Sequence, residues 1–195
     1  PLLLHLLAKE HIKEEELFEI LESMEQQFLY LYQSYVPKYR QSNWGVLQTT
    51  SILQNAAWFG ECFCLEEMKR IAEWAKDELL DQLESQIYGD GSHWEQSMMY
   101  HIEVLNSVTT MLVFRKRAGV VTPKRAEEIL YGMYDYVMHA AGPDHLQIAQ
   151  GDSDVTDIRD VMTRGAMLFE ESAFKYAGYE EPDLESIWCF GMEQK

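Results

Sequence analysis

Residues 43–59 read NWGVLQTTSILQNAAWF, seventeen positions without a single Asp, Glu, Lys or Arg. A helix that carries no charge has no water-facing stripe and is expected to be buried on most sides. The next helical stretch, 65–87, reads LEEMKRIAEWAKDELLDQLESQI and is loaded with charge. Met68, Ile71, Ala72, Ala75, Leu79 and Leu83 recur there at three- and four-residue steps on one face, so it is expected to turn that face inward and the rest to water. The alternation repeats. Residues 92–114 contain only Glu95 and Glu103, whereas 122–141 opens with Lys124, Arg125, Glu127 and Glu128. Uncharged inner helices alternating with charged outer ones are what a double-layered ring of helical hairpins requires. The expected fold is therefore all-α, an incomplete α/α toroid of antiparallel hairpins formed by residues 1–195 as a single domain. A plain helical solenoid is the competitor, but there is no fixed-period repeat and no tetratricopeptide signature.

Outward from this pair, the spacing of Leu17, Ile20, Leu21, Met24, Phe28 and Leu31 predicts a first helix over 14–35, ended by Pro37. Gly89-Asp90-Gly91 breaks the helix over 65–87. Ser92 with Glu95 fits the capping box, which predicts that a fourth helix starts at Ser92 and runs to Arg117. Gly119 stops it. Thr122 as N-cap and Pro123 at the first position open a fifth, which ends near 141–143. Residues 143–153 read as a loop, 154–176 as a sixth helix, and a short seventh starts near Asp183. No period-two strand pattern stands out.

The composition bounds the function. With 47% apolar and 25% charged residues the chain has the balance of an ordinary globular domain. No run approaches the roughly eighteen apolar residues of a membrane span. The apolar opening, residues 1–4, has no basic segment before it and is followed by His5, Lys9, Glu10 and His11, a poor signal peptide. The missing initiator Met suggests a start inside a longer protein. A net charge of −17 repels nucleic acid and anionic membrane, and neither is an expected partner. The same charge opposes a polyanionic substrate, unless a local cluster overrides it. Cys62, Cys64 and Cys189 are an odd set without a second Cys/His pair at zinc spacing; they read as buried free thiols, and no metal or cofactor is expected.

The segment Asp90-Gly91-Ser92-His93-Trp94-Glu95-Gln96-Ser97-Met98-Met99-Tyr100-His101 concentrates the chemistry. On a helix it would place His93, Gln96, Ser97, Tyr100, Val104 and Ser107 on one polar, uncharged face. Trp94, Met98, Leu105, Val108 and Leu112 would form a core face beside it. A polar face on an inner helix must point at a partner or a cleft. Each residue also has a plainer reading: Tyr100 as a core tyrosine, Asn43 as a helix cap, Glu95 as a capping-box partner, His101 as structural, Asp152 and Asp154 as turn or cap residues. His139 and His145 flank a loop with no ligand spacing.

This segment resembles the heparinase II/III-like polysaccharide lyases, whose motif reads roughly D-G-x-x-x-E-x-S-x-x-Y-H; Asp90, Gly91, Glu95, Ser97, Tyr100 and His101 match it. Ser42-Asn43-Trp44-Gly45-Val46-Leu47 is similar to the family's asparagine-bearing inner helix. Gly151-Asp152-Ser153-Asp154 is similar to its G-D-S-D segment. The resemblance implies an α/α toroid followed by a β-sandwich domain, which is not in this chain, and β-elimination from a uronic-acid-containing glycan such as a glycosaminoglycan or alginate. The acidic polysaccharide and the C-terminal β-sandwich are the implied partners, and a periplasmic or secreted location is implied, with the cytoplasm as the alternative that free thiols fit equally well. Face and resemblance together make Tyr100, Asn43 and His93 the catalytic candidates, and Gln96, Trp44 and His101 the substrate-binding ones. Asn43 would neutralise the substrate carboxylate. Tyr100 would be the acid, and also the base if its pKa were lowered. In several of these lyases a His follows the asparagine; here it is Trp44. Two rivals remain: a non-catalytic helical interaction module, and an α/α-toroid glycoside hydrolase. The hydrolase would need two carboxylates flanking the scissile bond, and only Glu95, Glu103 and the acids near Asp152 could supply them.

Overall fold

A computed structural model describes residues 9, 11–117, 119–120 and 122–191; the apolar opening at 1–4 lies outside them. The helices are α1 (Glu14–Gln33), α2 (Asn43–Cys62), α3 (Glu66–Gln86), α4 (Met98–Arg117), α5 (Lys124–Ala140), α6 (Arg159–Phe169), α7 (Ser172–Ala177) and α8 (Leu184–Phe190), with a 3-10 turn at Pro37–Gln41 before α2. Among the described residues there is no strand, only two isolated bridges, and the all-α expectation holds. No described helix is long and apolar enough to cross a membrane.

The packing follows the charge pattern. α2, without charge up to Glu61 in its last turn, lies against α1, α3 and α4, and α4 in turn lies against α5, α6 and α8. Charged α3 packs on α2 and α5. The connection from α2 to α3 spans only residues 63–65, which makes the two helices an antiparallel pair. The result is an inner row α2–α4–α6 and an outer row α3–α5–α7, two packed layers of helices. The core runs between them through Val46, Ile52, Leu53, Ala75, Leu83, Val104, Leu105, Val108, Leu130 and Met133. Two hydroxyl pairs tie neighbouring helices together. The Thr50 and Ser107 hydroxyls pair at 2.5 Å between α2 and α4, and those of Thr109 and Tyr134 at 2.8 Å between α4 and α5.

Four local expectations are corrected. The fourth helix starts at Met98, not Ser92. Asp90 draws both Ser92 groups into its own turn, with N–H to Oδ1 at 3.0 Å and hydroxyl to Oδ1 at 2.7 Å, so Ser92 caps no helix. Gly91 has φ +86° and a Cβ there would lie 2.1 Å from the Gly132 carbonyl of α5; the bend is left-handed and packed flat on its neighbour. Thr122 does not cap α5, since its hydroxyl donates to Glu127 Oε1 at 2.6 Å, and Pro123 occupies the cap position. The expected helix over 154–176 is two helices, broken where Glu170 turns left-handed at φ +54°. Lastly, Cys62 and Cys64 are exposed and only Cys189 is buried.

Candidate active site

One face of α3 organises the site from behind. Glu78, Gln82 and Gln86 are spaced four apart, beside the apolar stripe of Ala75, Leu79 and Leu83, and all three are buried. Arg40 of the 3-10 turn grips Glu78 with both ends of its guanidinium, Nε to Oε1 at 2.8 Å and Nη2 to Oε2, and the Tyr35 hydroxyl donates to the same carboxylate. The Arg40 hydrogen bond holds the Glu78 carboxyl below its ordinary range, while burial pushes the Tyr35 phenol up to about 12. Gln82 donates to the Tyr35 hydroxyl at 3.0 Å and to Thr49 at 2.9 Å. Gln86 donates to the carbonyls of Arg40 at 2.6 Å and Ser42 at 3.1 Å. The turn lies so close to α2 that a Cβ on Gly45 would sit 2.0 Å from the Tyr39 carbonyl oxygen.

Gln86 also reaches the second segment. With its amide nitrogen donating, its Oε1 accepts from His93 Nε2 at 2.9 Å; His93 Nδ1 is then free to accept the backbone N–H of Glu95 at 3.3 Å. Burial lowers the His93 pKa, so the ring is held neutral, as this arrangement requires. Glu95 in turn takes the first amide of α2. Its carboxylate accepts from Asn43 N at 2.8 Å and from Asn43 Nδ2 at 3.2 Å and 3.0 Å. Glu95 does cap a helix, but α2 rather than its own, and an anion is favourable at that N-terminus.

The third segment is the 151–154 loop. Ser153 pairs with the Ser97 hydroxyl at 3.0 Å and accepts Met99 N–H at 3.1 Å, which ties the loop to the start of α4. Asp152 is thereby delivered to Tyr100, whose hydroxyl donates to its Oδ2 at 3.2 Å. That hydrogen bond, and next the charge of Asp152, raise the Tyr100 pKa above its ordinary value.

These segments enclose an open cleft of about 690 Å³, lined by Lys38, Tyr39, Gln41, Ser42, Asn43, Trp44, Trp94, Glu95, Gln96, Tyr100 and Asp152. Of the expected site residues, Asn43, Trp44, Gln96 and Tyr100 share it. His93 and His101 do not. His93 is 2% exposed and was expected on the helical face of Tyr100, but it precedes the helix and works behind Glu95. His101 is 1% exposed under α5, with Nε2 3.1 Å from the Met133 carbonyl oxygen, and burial depresses its pKa to about 4. Trp94, expected in the core, is 40% exposed and lines the cleft; Lys38, Tyr39 and Gln41 carry no sequence signal, and Glu95 and Asp152 have the pattern of cap and turn residues. The four-residue spacing of Glu78, Gln82 and Gln86 was the available signal for the support behind them.

The family model for the heparinase II/III N-terminus matches residues 2–176. The chain belongs to that family. Searches of curated proteins and of solved structures gave no match. The match spans the 3-10 turn, the 90–101 segment and the 151–154 loop, so all three segments of the cleft belong to the heparinase II/III N-terminal unit.

Proposed function

We propose that this domain provides the acid side of a polysaccharide lyase site, acting on a uronic-acid-containing glycan by β-elimination. In that reaction a base removes the proton at C5, the electron pair forms the C4–C5 double bond, the C4–O bond breaks, and an acid protonates the departing glycosidic oxygen. The observation that carries the reading is the Tyr100 hydroxyl, which lines the same open cleft as Asn43 and donates to Asp152. A phenol already carries its proton at neutral pH, and the raised pKa makes the phenolate that a base role needs scarcer still, which favours the acid role of the two open to Tyr100. Asn43 keeps the neutraliser role in this reading, and its amide, held by the Glu95 carboxylate, must turn from that carboxylate to reach a substrate charge. Gln96 and Trp44 supply contacts along the cleft, and the base is assigned to the β-sandwich domain expected to follow. A periplasmic or secreted location goes with this reading.

Hydrolysis is the second reading, because the cleft holds two carboxylates, Glu95 and Asp152. Both are engaged, one by Asn43 and the other by Tyr100, which leaves neither poised as a free acid. The test compares Tyr100→Phe with wild type in the parent protein on heparan, hyaluronan, chondroitin and alginate. We expect an unsaturated product absorbing in the near ultraviolet and a rate loss of ~10²–10⁴-fold in the variant, with an unchanged fold. Equal rates would make Tyr100 structural, and reducing ends without unsaturation would make the reaction hydrolysis.

A further inference from the structure

The charges of the cleft are few and unbalanced. Among its lining residues Lys38 is the one cation, against the carboxylates of Glu95 and Asp152. Arg40, next along the turn, is committed to Glu78 and lies 3.6 Å from Asp81. The donor groups of Asn43 that could receive a substrate anion already face an internal one, the carboxylate of Glu95. The protein around the cleft carries a net charge of −17.

The aromatic surface is disproportionate in the other direction. Trp44 is 67% exposed in the first turn of α2 and Trp94 is 40% exposed on the facing segment, both on the cleft. Tyr39 lines the same cleft, with Lys38 Nζ 5.4 Å from its ring centroid. Open tryptophan faces on a concave surface bind flat ligands with apolar faces, and the C–H face of a pyranose ring is one. A glycan chain brings its own hydroxyls to Gln41, Ser42 and Gln96.

We propose, resting on the lyase reading, that the cleft takes an unsulfated uronate glycan, stacked on Trp44 and Trp94, with one carboxylate paired to Lys38. A densely sulfated chain brings several negative charges to a site that offers one cation and two anions. Each additional sulfate is repelled by Glu95, Asp152 and the global field.

The test holds the sugar backbone constant and varies the charge. Heparin, the same heparin chemically desulfated, and neutral dextran of matched length are titrated against the protein at about 0.15 M salt, where long-range fields are screened to about 8 Å. Tryptophan fluorescence and calorimetry read the binding. Desulfated heparin is expected to bind at least ~10-fold tighter than heparin, since one lost or gained charge contact of ordinary strength changes affinity by about that factor. Trp44→Ala and Lys38→Gln are each expected to weaken the desulfated chain by a similar factor. Heparin binding as tightly as, or tighter than, its desulfated form overturns the proposal and leaves the lyase reading intact. Dextran binding as well as the desulfated uronate overturns the pairing with Lys38. If no uronate binds and the parent protein yields no unsaturated product from any of them, the lyase reading fails as well.

Discussion

The wall of the cleft made by the 3-10 turn and the start of α2 is held by side chains reaching from α3 around the Arg40–Glu78 ion pair, whereas the facing wall, residues 90–101 with the 151–154 loop, takes Gln86 alone from the polar face of α3 and is otherwise held by backbone conformation, the Asp90 and Asp152 carboxylates, hydroxyls and neutral imidazoles. In the first wall the carboxylate of Glu78 gathers Arg40 and Tyr35. In the second, Gly91 sets the bend, Ser97 and Ser153 join the loops, and His93 and His101 fill buried positions uncharged. A wall built on a buried ion pair and a wall whose carboxylates accept only from neutral donors respond to different perturbations. The two meet at Glu95 and Asn43, so failure of either reaches the other.

The largest separation between them is in acid. His101 has a folded pKa of about 4 against an ordinary 6.5, because burial disfavours the imidazolium. Below pH 6.5 the unfolded chain takes up a proton that the folded one refuses, so stability falls as pH drops from 6.5 to 4. The loss by pH 4 is about 3 kcal/mol relative to pH 7. Glu78 has a lowered pKa and contributes stability that is present above its unfolded value and lost only as pH falls further, through its folded value. Urea titrations at pH 7, 5.5 and 4 measure this slope. In His101→Gln it is expected to flatten, with a residue left by His93, which shifts in the same direction. An unchanged slope would show that burial of this imidazole is not the source.

Removing the charge from the first wall is expected to cost less. Glu78→Gln leaves Arg40 without its bidentate partner, though the Arg40 side chain is 45% exposed and can regain water. We expect a loss of roughly 2 kcal/mol at pH 7, within the range of hydrogen bonds to charged groups. Trp44 emission should change while the 151–154 loop keeps its amide protection. If the loop loses protection instead, the two walls are not separately supported.

Ser153→Ala perturbs the second wall by a neutral pair, for about 1 kcal/mol. It is expected to raise hydrogen exchange at Met99 and in 151–154 while leaving Arg40 and Tyr35 unmoved.

Asp152→Asn is the smallest change and the sharpest. It keeps the shape but replaces the carboxylate whose hydrogen bond, and next whose charge, raise the Tyr100 pKa, so the alkaline titration of this phenol should move down toward its ordinary value near 10. Tyrosine absorbance across pH 9–12, differenced against Tyr100→Phe, reads it. A midpoint that stays put would mean that the hydrogen bond to Asp152 is not formed in solution.

The comparison also explains why one wall was legible and the other was not. The start of α2 at Asn43, the length of α3 and their inner and outer placement follow from charge and from three- and four-residue spacing, because burial direction is a local property of a helix. The second wall contains a capping box that does not cap. A sequence pattern shows that Ser92 and Glu95 could satisfy a helix start; it does not show that Asp90 would take Ser92 and that the α2 N-terminus would take Glu95. The helical face drawn through His93, Gln96 and Tyr100 failed for that reason, although Gln96 and Tyr100 reach the cleft by another path.

By itself, then, the sequence determined the all-α class, the alternation of buried and solvated helices and the three family segments, all of which depend on residues near one another in the chain. Tertiary structure alone decided what the polar groups do. The Asn43–Glu95 and Tyr100–Asp152 bonds each join residues 52 apart, and Gln86 reaches Ser42 across 44. Hydrogen bonds act over about 3 Å, and their partners are chosen only once packing has brought distant segments together. A carboxylate written three residues after a serine can therefore serve a helix start 52 residues away.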